Sequence, residues 1–180
     1  MTIRPADPDR DAAACAAIYA PSVEATPISF ELVPPDAAEF ARRIAKYSAT
    51  HQFLVAEEGG EVIGYAYACR WAERAAYDWS VEVSVYIDAA HQGRGVGRAL
   101  YTELFERLAA QGFRIAVAGV TLPNPASIGL HESMGFEPVG AFRDVGFKEG
   151  RWHDVGYWQR PLAPLGDGAP PPPVPPGPVG

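Results

Sequence analysis

The stretch His91–Leu100, HQGRGVGRAL, has glycine at three alternating positions, Gly93, Gly95 and Gly97, with an arginine directly after the first and the third. The first amide groups of a helix have no partner inside the helix and carry a partial positive charge, so a turn that leads into a helix attracts anions. Glycine removes the side chains that would hold a phosphate away from those amides. We therefore expect this glycine loop, residues 91–98, to bind a phosphate or a diphosphate.

Two common phosphate-binding motifs do not fit the glycine loop. A P-loop ends in Gly-Lys-Ser or Gly-Lys-Thr, whereas here Gly97 is followed by Arg98. The dinucleotide motif G-x-G-x-x-G would need glycine at Arg98 or at Leu100, depending on where it starts. A flexible turn without a ligand is the remaining alternative, and the flanking arginines and the strand-to-helix context weigh against it.

The segments on either side of the glycine loop predict a strand before it and a helix after it. Residues 79–88 are apolar at the odd positions and mostly polar at the even ones, and this period of two is typical of a strand. Leu100, Leu104 and Leu108 then form an apolar stripe at helical spacing, which ends at Gly112. The loop is thus predicted to lie where a strand gives way to a helix.

The rest of the chain completes an α+β fold, with a mixed, mostly antiparallel sheet and helices packed on its faces. In addition to the elements above, we predict a strand in TIRPA, helices over Asp9–Ala20 and Asp36–Ser48, a hairpin that turns at Gly59-Gly60, a strand in FRIAVAGVTL, a short helix from Asn124 to before Gly135, and two strands around KEGRW. Half of the 18 prolines lie at or beyond Pro161. We therefore expect a folded domain over residues 1–161 and a disordered or polyproline-like tail over residues 162–180.

Charge and composition narrow the class of partner. The formal net charge of -7 and the pI of about 5.1 argue against nucleic acid or an anionic membrane as the main partner, because both need a positive surface. Cys15 and Cys69 stand far apart in no metal-binding spacing, which predicts neither a disulfide framework nor a zinc site. Apolar runs are short and the first residues lack the pattern of a secretory signal, so we expect a cytoplasmic protein.

Residues Gln92–Gly97, QGRGVG, match the pattern Q-x-x-G-x-G/A, the acetyl-coenzyme A signature of the GNAT family of N-acetyltransferases. The chain resembles this family from end to end: WSVEVSVYID stands where the family has its fourth strand, and NPASIGLHESMGF where it has the helix that begins with N-x-x-A/S and ends in Gly-Phe. Within the family, AYDWSVEVSVYI, LHESMGF and GRWHDVGYWQR resemble the group that acetylates phosphinothricin, methionine sulfone and methionine sulfoximine. The resemblance implies a GNAT-type fold, a homodimer and no metal.

The resemblance also implies how acetyl-coenzyme A is bound. The amides of the glycine loop would hold the diphosphate, the backbone of the fourth strand would pair with the pantetheine arm like an added strand, and Asn124 would reach the pantetheine or its sulfur end. The implied cofactor-binding residues are Val85, Tyr86, Ile87, Gln92, Gly93, Arg94, Gly95, Val96, Gly97, Arg98, Asn124 and Ser133.

Acetyl transfer from a thioester to an amine needs a neutral amine, charge stabilisation at the carbonyl oxygen and a proton for the departing thiolate. Glu82 lies on the polar face of the predicted fourth strand, and the family match at Val81-Glu82 implies that it is the catalytic base; a solvated strand carboxylate is the alternative. His131 stands in LHE, where many family members have tyrosine and the phosphinothricin group has histidine. It is either a catalytic proton donor or a packing residue.

Two further residues are candidates for the substrate site, to which Glu82 also belongs. Arg74, just upstream of AAYDW, matches an arginine of the family pattern, so the resemblance makes it the anchor for a substrate carboxylate. A guanidinium can bind such a group with two parallel hydrogen bonds, and a solvent-facing loop arginine is the alternative. Phe30, in the loop PSVEATPISFELVPP, is a candidate wall of the pocket, although we favour an ordinary core aromatic there.

These observations predict an N-acetyltransferase that uses acetyl-coenzyme A and a ternary complex to acetylate the α-amine of a small amino acid analogue. Two alternatives stay open. A polyamine or aminoglycoside substrate would favour acidic pocket walls, and Arg74 argues against it. A regulatory module that binds coenzyme A without turnover would have no need of Glu82.

Overall fold

The computed structural model describes residues 1–168 and 170–177, which form one mixed sheet with helices on both faces. The strands are β1 (Thr2–Pro5), β2 (Phe53–Glu58), β3 (Glu61–Arg70), β4 (Ser80–Ile87), β5 (Ile115–Thr121), β6 (Glu137–Lys148) and β7 (Arg151–Pro161). The helices are α1 (Pro8–Glu24), α2 (Ala37–Ser48), α3 (Val96–Gln111) and α4 (Pro125–Ser133). The predicted α+β fold and order of elements are confirmed.

The sheet has the strand order β1-β2-β3-β4-β5-β7-β6. Strands β4 and β5 run parallel, and the other neighbouring pairs of described strands run antiparallel. A parallel pair needs a crossover connection, which α3 provides. The glycine loop therefore lies at the point where β4 ends and this crossover begins.

The first helix extends further than its sequence predicts. It continues beyond Ala20, through Pro21, and ends at Glu24. Proline lacks the N–H that a helix interior uses, so the chain was expected to leave the helix there. Val23, however, is only 2 % exposed in the core beneath α1. Tertiary packing of this last turn outweighs the local preference.

Two clusters of buried side chains hold the helices on the sheet. Leu100 and Leu104 of α3 pack on one face, where Val83 of β4 joins them. Ile44 of α2 belongs to the cluster on the other face, and Tyr86 of β4 packs against that cluster. Because β4 alternates, its even-numbered residues, Glu82 included, lie on the α1–α2 side of the sheet.

The described part of the proline-rich tail has no helix or strand and lies against the body of the protein. The indole nitrogen of Trp79 donates to the carbonyl of Pro171 at 2.9 Å, and the backbone N–H of Val174 donates to the carbonyl of Gln111 at 2.8 Å. The division near residue 161 and the disorder of the tail stay predictions. Within residues 1–168 and 170–177, no helix combines the length and the apolar character needed to cross a membrane.

Candidate active site

A cleft of about 530 Å³ opens where β4 and β5 separate. The two strands pair at Ser80–Glu82 with Ile115–Val117, and beyond Glu82 they diverge. In the described part of the chain, the β5-facing edge of residues 83–86 therefore has no neighbouring strand. An unpaired strand edge offers backbone N–H and C=O groups to an extended ligand that runs beside it.

The glycine loop forms one end of this cleft. Gly93 and Gly95 have φ angles of 72° and 82°, in the left-handed region that favours glycine, and Gly95 directly precedes α3. A Cβ added at either position would meet no atom within 4 Å, so the space in front of the loop is open. The first amides of α3, at Val96 and Gly97, border the same space. This end of the cleft suits an anionic group.

The arginines of the glycine loop are engaged with the protein itself. The guanidinium of Arg94 lies 2.9 Å from the Glu58 carboxylate, and Arg94 is not among the residues that line the cleft. Arg98 does line the cleft, and it donates to the carbonyl of Ser133 at 3.4 Å. Ser133 is exposed, and its hydroxyl donates to the carbonyl of Leu130 within α4. At this end the cleft thus presents the backbone amides of the loop and the guanidinium of Arg98, whereas Arg94 is turned toward Glu58.

The remaining cofactor candidates lie around the cleft. Residues 85–87 of β4 line it, and the side-chain amide of Gln92 donates to the carbonyl of Ile87 at 3.3 Å. Asn124 also lines the cleft, and its side-chain oxygen accepts the backbone N–H of Ser127 at 3.1 Å. This bond caps α4 and fixes the orientation of Asn124 at the rim.

Glu82 lies at the other end of the open β4 edge, about 17 Å from Ile87 at the usual rise of a strand. Gly119 of β5 lies beside its carboxylate, since a Cβ added there would lie 3.6 Å from Oε1 of Glu82, an ordinary contact distance. Burial raises the pKa of the Glu82 carboxyl above its ordinary value. A carboxylate with a raised pKa can take a proton near neutral pH, as a general base must.

Two further titratable side chains flank Glu82. Tyr157 of β7 stands opposite Gly119, and burial, followed by the charge of Glu82, raises its pKa. Cys69 of β3 is the register partner of Glu82. Burial, and to a smaller extent the charge of Glu82, raises the pKa of its thiol to about 12. Both groups are therefore neutral at physiological pH, and Glu82 supplies the negative charge here.

His131 lines the cleft from α4 and is only 4 % exposed. Its Nδ1 lies 2.8 Å from the carbonyl oxygen of Ser127, and since a carbonyl can only accept, Nδ1 carries the hydrogen. Its Nε2 lies 3.0 Å from the Tyr101 hydroxyl. Burial lowers the pKa of the imidazole, which favours the neutral ring. In that form Nε2 accepts the hydroxyl proton of Tyr101.

Arg74, Phe30 and Glu82 are not among the residues that line the cleft. The Glu82 carboxylate lies beside Gly119, which does line it. Arg74 is exposed at the start of a 3-10 turn, Ala75–Tyr77, between β3 and β4. Phe30 is 37 % exposed, and its ring packs over Gly146 of β6. The structure thus places His131 in the lining with the glycine loop and Glu82 next to that lining, and it leaves Arg74 and Phe30 outside.

Sequence reasoning misses three residues of the site: Gly119, Tyr101 and Tyr157. A glycine inside an apolar strand often marks a close approach of another group, and this signal could have identified Gly119. Tyr101 belongs to the apolar face of α3, where nothing in the sequence sets it apart from core residues. Tyr157 reaches Gly119 only through the pairing of β5 with β7.

Groups of three or more His, Cys, Asp or Glu side chains that could hold a metal ion are absent from residues 1–168 and 170–177. A long ligand with an anionic head and a reactive tail would fit this arrangement. Its head would lie at the glycine loop, its length along the unpaired edge of β4, and its tail near the Glu82 carboxylate. Acetyl-coenzyme A has that shape.

Comparisons with known proteins agree with this geometry. Residues 5–156 match the family model of the acetyltransferase (GNAT) domain. The chain is 42 % identical over 160 residues to a phosphinothricin N-acetyltransferase of Streptomyces viridochromogenes, covering 89 % of this chain and 87 % of that protein. It is 38 % identical over 166 residues to an L-methionine sulfoximine/L-methionine sulfone acetyltransferase of Salmonella typhimurium, covering 90 % and 95 %. A solved phosphinothricin acetyltransferase of Sinorhizobium meliloti in complex with acetyl-coenzyme A has a TM-score of 0.85 and 40 % identity, covering 89 % and 88 %.

Proposed function

Since the chain belongs to the GNAT family of acetyltransferases, we propose that it acetylates the α-amine of phosphinothricin, methionine sulfone or methionine sulfoximine. Relatives named for these substrates align with most of the chain, which supports the proposal. The observation that carries it is the half-buried Glu82 carboxylate at the far end of an open strand edge that begins at the glycine loop.

Acetyl-coenzyme A supplies the acetyl group as an activated thioester. The amides of Gly93–Gly97 would hold its diphosphate, and the backbone of residues 85–87 would pair with its pantetheine arm. Asn124 would reach the sulfur end. Of the residues assigned to the cofactor, Arg94 and Ser133 have the least support, because one pairs with Glu58 and the other bonds within its own helix.

Glu82 would act as the general base in a ternary complex. Its carboxylate takes a proton from the substrate ammonium, which frees the nitrogen lone pair. The neutral nitrogen forms a bond to the acetyl carbon and loses one further proton as the amide forms. The carbon–sulfur bond breaks, and one proton is delivered to the departing thiolate. The raised pKa of Glu82 brings its proton affinity closer to that of the amine and so eases the first transfer.

His131 would act at the sulfur end together with Tyr101. In this role the Tyr101 hydroxyl would turn its proton from Nε2 of His131 to the departing sulfur, and the imidazole would hold the hydroxyl in place before the transfer. His131→Phe and Tyr101→Phe should then each lower kcat, and the double variant should lower it no further, because the two act as a unit. If His131 only packs, both variants lose stability and keep kcat.

Arg74 would bind the substrate carboxylate, and Phe30 would form one wall of the pocket. The support for Arg74 is its exposed position on the loop that leads into β4, the strand that carries Glu82. Arg74→Met should raise KM for each amino acid analogue and leave KM unchanged for a matching amine without the carboxylate. An equal change for both classes of amine contradicts the assignment.

We also propose a homodimer and a cytoplasmic location. The β6–β7 hairpin exposes Phe142, Val145, Phe147 and Trp152, each by more than half, and an apolar patch of this kind suits an interface between copies. Sedimentation of the wild type and of Trp152→Arg tests the assembly: we expect a dimer for the wild type and a monomer for the variant.

The cytoplasmic location is supported by the free thiols of Cys15 and Cys69, which suit a reducing compartment. Cell fractionation tests that location.

The decisive experiment is a substrate panel read by release of free thiol from acetyl-coenzyme A. The panel contains phosphinothricin, methionine sulfone, methionine sulfoximine, a polyamine and an aminoglycoside, with Glu82→Gln as the matched control protein. We expect the highest kcat/KM for one of the three amino acid analogues. Turnover of the polycations alone would favour the other amine class, and no release with any amine would favour a regulatory module.

A further inference from the structure

Lys148, the last residue of β6, carries a buried ammonium that is held by backbone carbonyls. The side chain is 7 % exposed. Its Nζ lies 2.6 Å from the carbonyl of Val23, 2.9 Å from that of Thr26 and 2.7 Å from that of Ser29. An ammonium has three N–H bonds and no acceptor, so these carbonyls satisfy it completely. Val23 lies in the last turn of α1, where the helix dipole is negative.

The segment that Lys148 holds is part of the cleft wall. We name Ala25–Glu31, which follows α1, the wall segment. Ile28 of this segment lines the cleft, and its carbonyl accepts the Thr121 hydroxyl at 3.3 Å. Thr121 lies on β5, two residues beyond Gly119. Because β4 and β5 are parallel and Glu82 pairs with Val117, Thr121 lies beyond the level of Glu82, where the two strands have diverged. The wall segment therefore borders the β5 side of the cleft.

A second contact between the β6–β7 hairpin and the wall segment is made by Phe30. Phe30 packs so closely over Gly146 of β6 that an added Cβ would lie 2.1 Å from its ring. The φ of Gly146 lies outside the left-handed region, so alanine at this position would be opposed by the Phe30 ring and not by its own backbone. His153 of β7 supports both contacts, since its Nε2 donates to the Lys148 carbonyl at 3.1 Å and its ring lies 6.1 Å from that of Phe30.

A buried charge costs free energy unless its hydrogen bonds are made, and an apolar side chain of similar length would fill the same volume without that cost. The ammonium does what an apolar side chain cannot: it gathers carbonyls from α1 and from the wall segment around one point. We propose that Lys148 is a positioning residue for the amine substrate: it holds the wall segment against the β5 side of the cleft. This inference rests on the proposed function, since it concerns the amine that the site accepts.

Steady-state kinetics of Lys148→Met test the proposal. Loss of the ammonium leaves the carbonyls of Val23, Thr26 and Ser29 without their donor, so KM for the preferred amine should rise about tenfold or more. KM for acetyl-coenzyme A should stay within about twofold, because the side chains of the glycine loop bond to β2, β4 and α4 and not to the wall segment. An unchanged amine KM in the folded variant, or an equal rise in both KM values, overturns the proposal.

Two matched variants complete the test. Gly146→Ala should displace Phe30 and raise the amine KM selectively while leaving Lys148 in place, so it decides the matter if Lys148→Met does not fold. Lys46→Met removes the other lysine of the sequence, which is exposed on α2, and should change neither KM. An unchanged amine KM in Gly146→Ala contradicts the proposal.

A readout without substrate separates this inference from the proposed function. Chymotrypsin should cut Lys148→Met faster at Phe30 and Leu32 than it cuts the wild type or Lys46→Met, because the wall segment has lost its anchor. If the wild type acetylates none of the amines, the proposed function fails, and faster cleavage still supports the anchoring role. Equal cleavage of the three proteins refutes that role whether or not the enzyme is active.

Discussion

At the glycine-loop end of the cleft the chain presents bare backbone amides, whereas at the Glu82 end it presents a half-buried carboxylate framed by Gly119, Tyr157 and Cys69. The first end owes its shape to missing side chains, since Gly93 and Gly95 open onto empty space. The proposed role of the second end depends on one side chain, Glu82, that is present and partly withdrawn from water. Binding of coenzyme A at the first end should therefore be sensitive to added atoms. Turnover at the second end should be sensitive to atoms that are removed or displaced.

The largest effect is expected from Gly95→Asp, which adds both atoms and a negative charge to the glycine loop. The carboxylate would occupy the open space before α3 and repel a diphosphate, so the Kd for coenzyme A should rise about a hundredfold or more. Gly150→Asp is the control, because Gly150 has a comparable φ of 75° and open surroundings in the β6–β7 turn. Calorimetric titration measures both, and retained affinity in Gly95→Asp would mean that the diphosphate binds elsewhere.

Glu82→Gln removes the proposed base from the other end. The value of kcat should fall about a hundredfold to a thousandfold while the Kd for coenzyme A stays the same. Because the pKa of Glu82 is raised, the wild-type rate should fall with acid at a pH above the ordinary carboxyl value of 4.5. In the variant the fall in rate that reflects protonation of Glu82 disappears. The residual rate then follows the fraction of the substrate that is present as free amine. Glu106→Gln, an exposed change on α3, is the control; a wild-type pH profile in Glu82→Gln would exclude Glu82 as the base.

Gly119→Ala crowds the surroundings of the Glu82 carboxylate without removing it. The new Cβ would lie 3.3 Å from the Tyr157 ring, which must move by a few tenths of an ångström, and 3.6 Å from the Glu82 carboxylate, an ordinary contact distance. We expect kcat/KM for the amine to fall about threefold to tenfold, since reacting groups must be closely aligned. Gly129→Ala, where a Cβ meets no atom within 4 Å, should leave kcat/KM unchanged. Equal kinetics for both variants would show that the space at Gly119 is unimportant.

The smallest effect concerns stability. The folded-state pKa of Glu82 is raised, so the wild type carries a destabilising charge at every pH above that pKa, and the cost disappears once the carboxyl is protonated in both states, below about 4.5. Glu82→Gln should therefore unfold about 1–3 °C higher than the wild type at pH 8 and at the same temperature as the wild type at pH 4. Scanning calorimetry at the two pH values measures this, and a lower Tm at pH 8 contradicts the burial argument.

Patterns within one element predict much of this molecule. The period of two in β4 places Glu82 on the polar face, and the glycines mark both ends of α3, since Gly95 and Gly112 adopt left-handed conformations there. Contacts between distant elements escape such reasoning. Lys148 meets a carbonyl 125 residues earlier in the chain, and Arg94, expected at the anion site, is paired with Glu58. Only the folded sheet brings these partners together.

The enclosure of Lys148 has a chemical consequence for an enzyme that handles a reactive thioester. Lys46 and Lys148 are the lysines of the sequence, and the second has its amine wrapped in carbonyls. A side chain enclosed in this way, only 7 % exposed, cannot reach the thioester, so self-acetylation should be confined to the exposed Lys46 and the chain terminus. The fold thus shields from its own reagent the ε-amine on which we propose that its substrate wall depends.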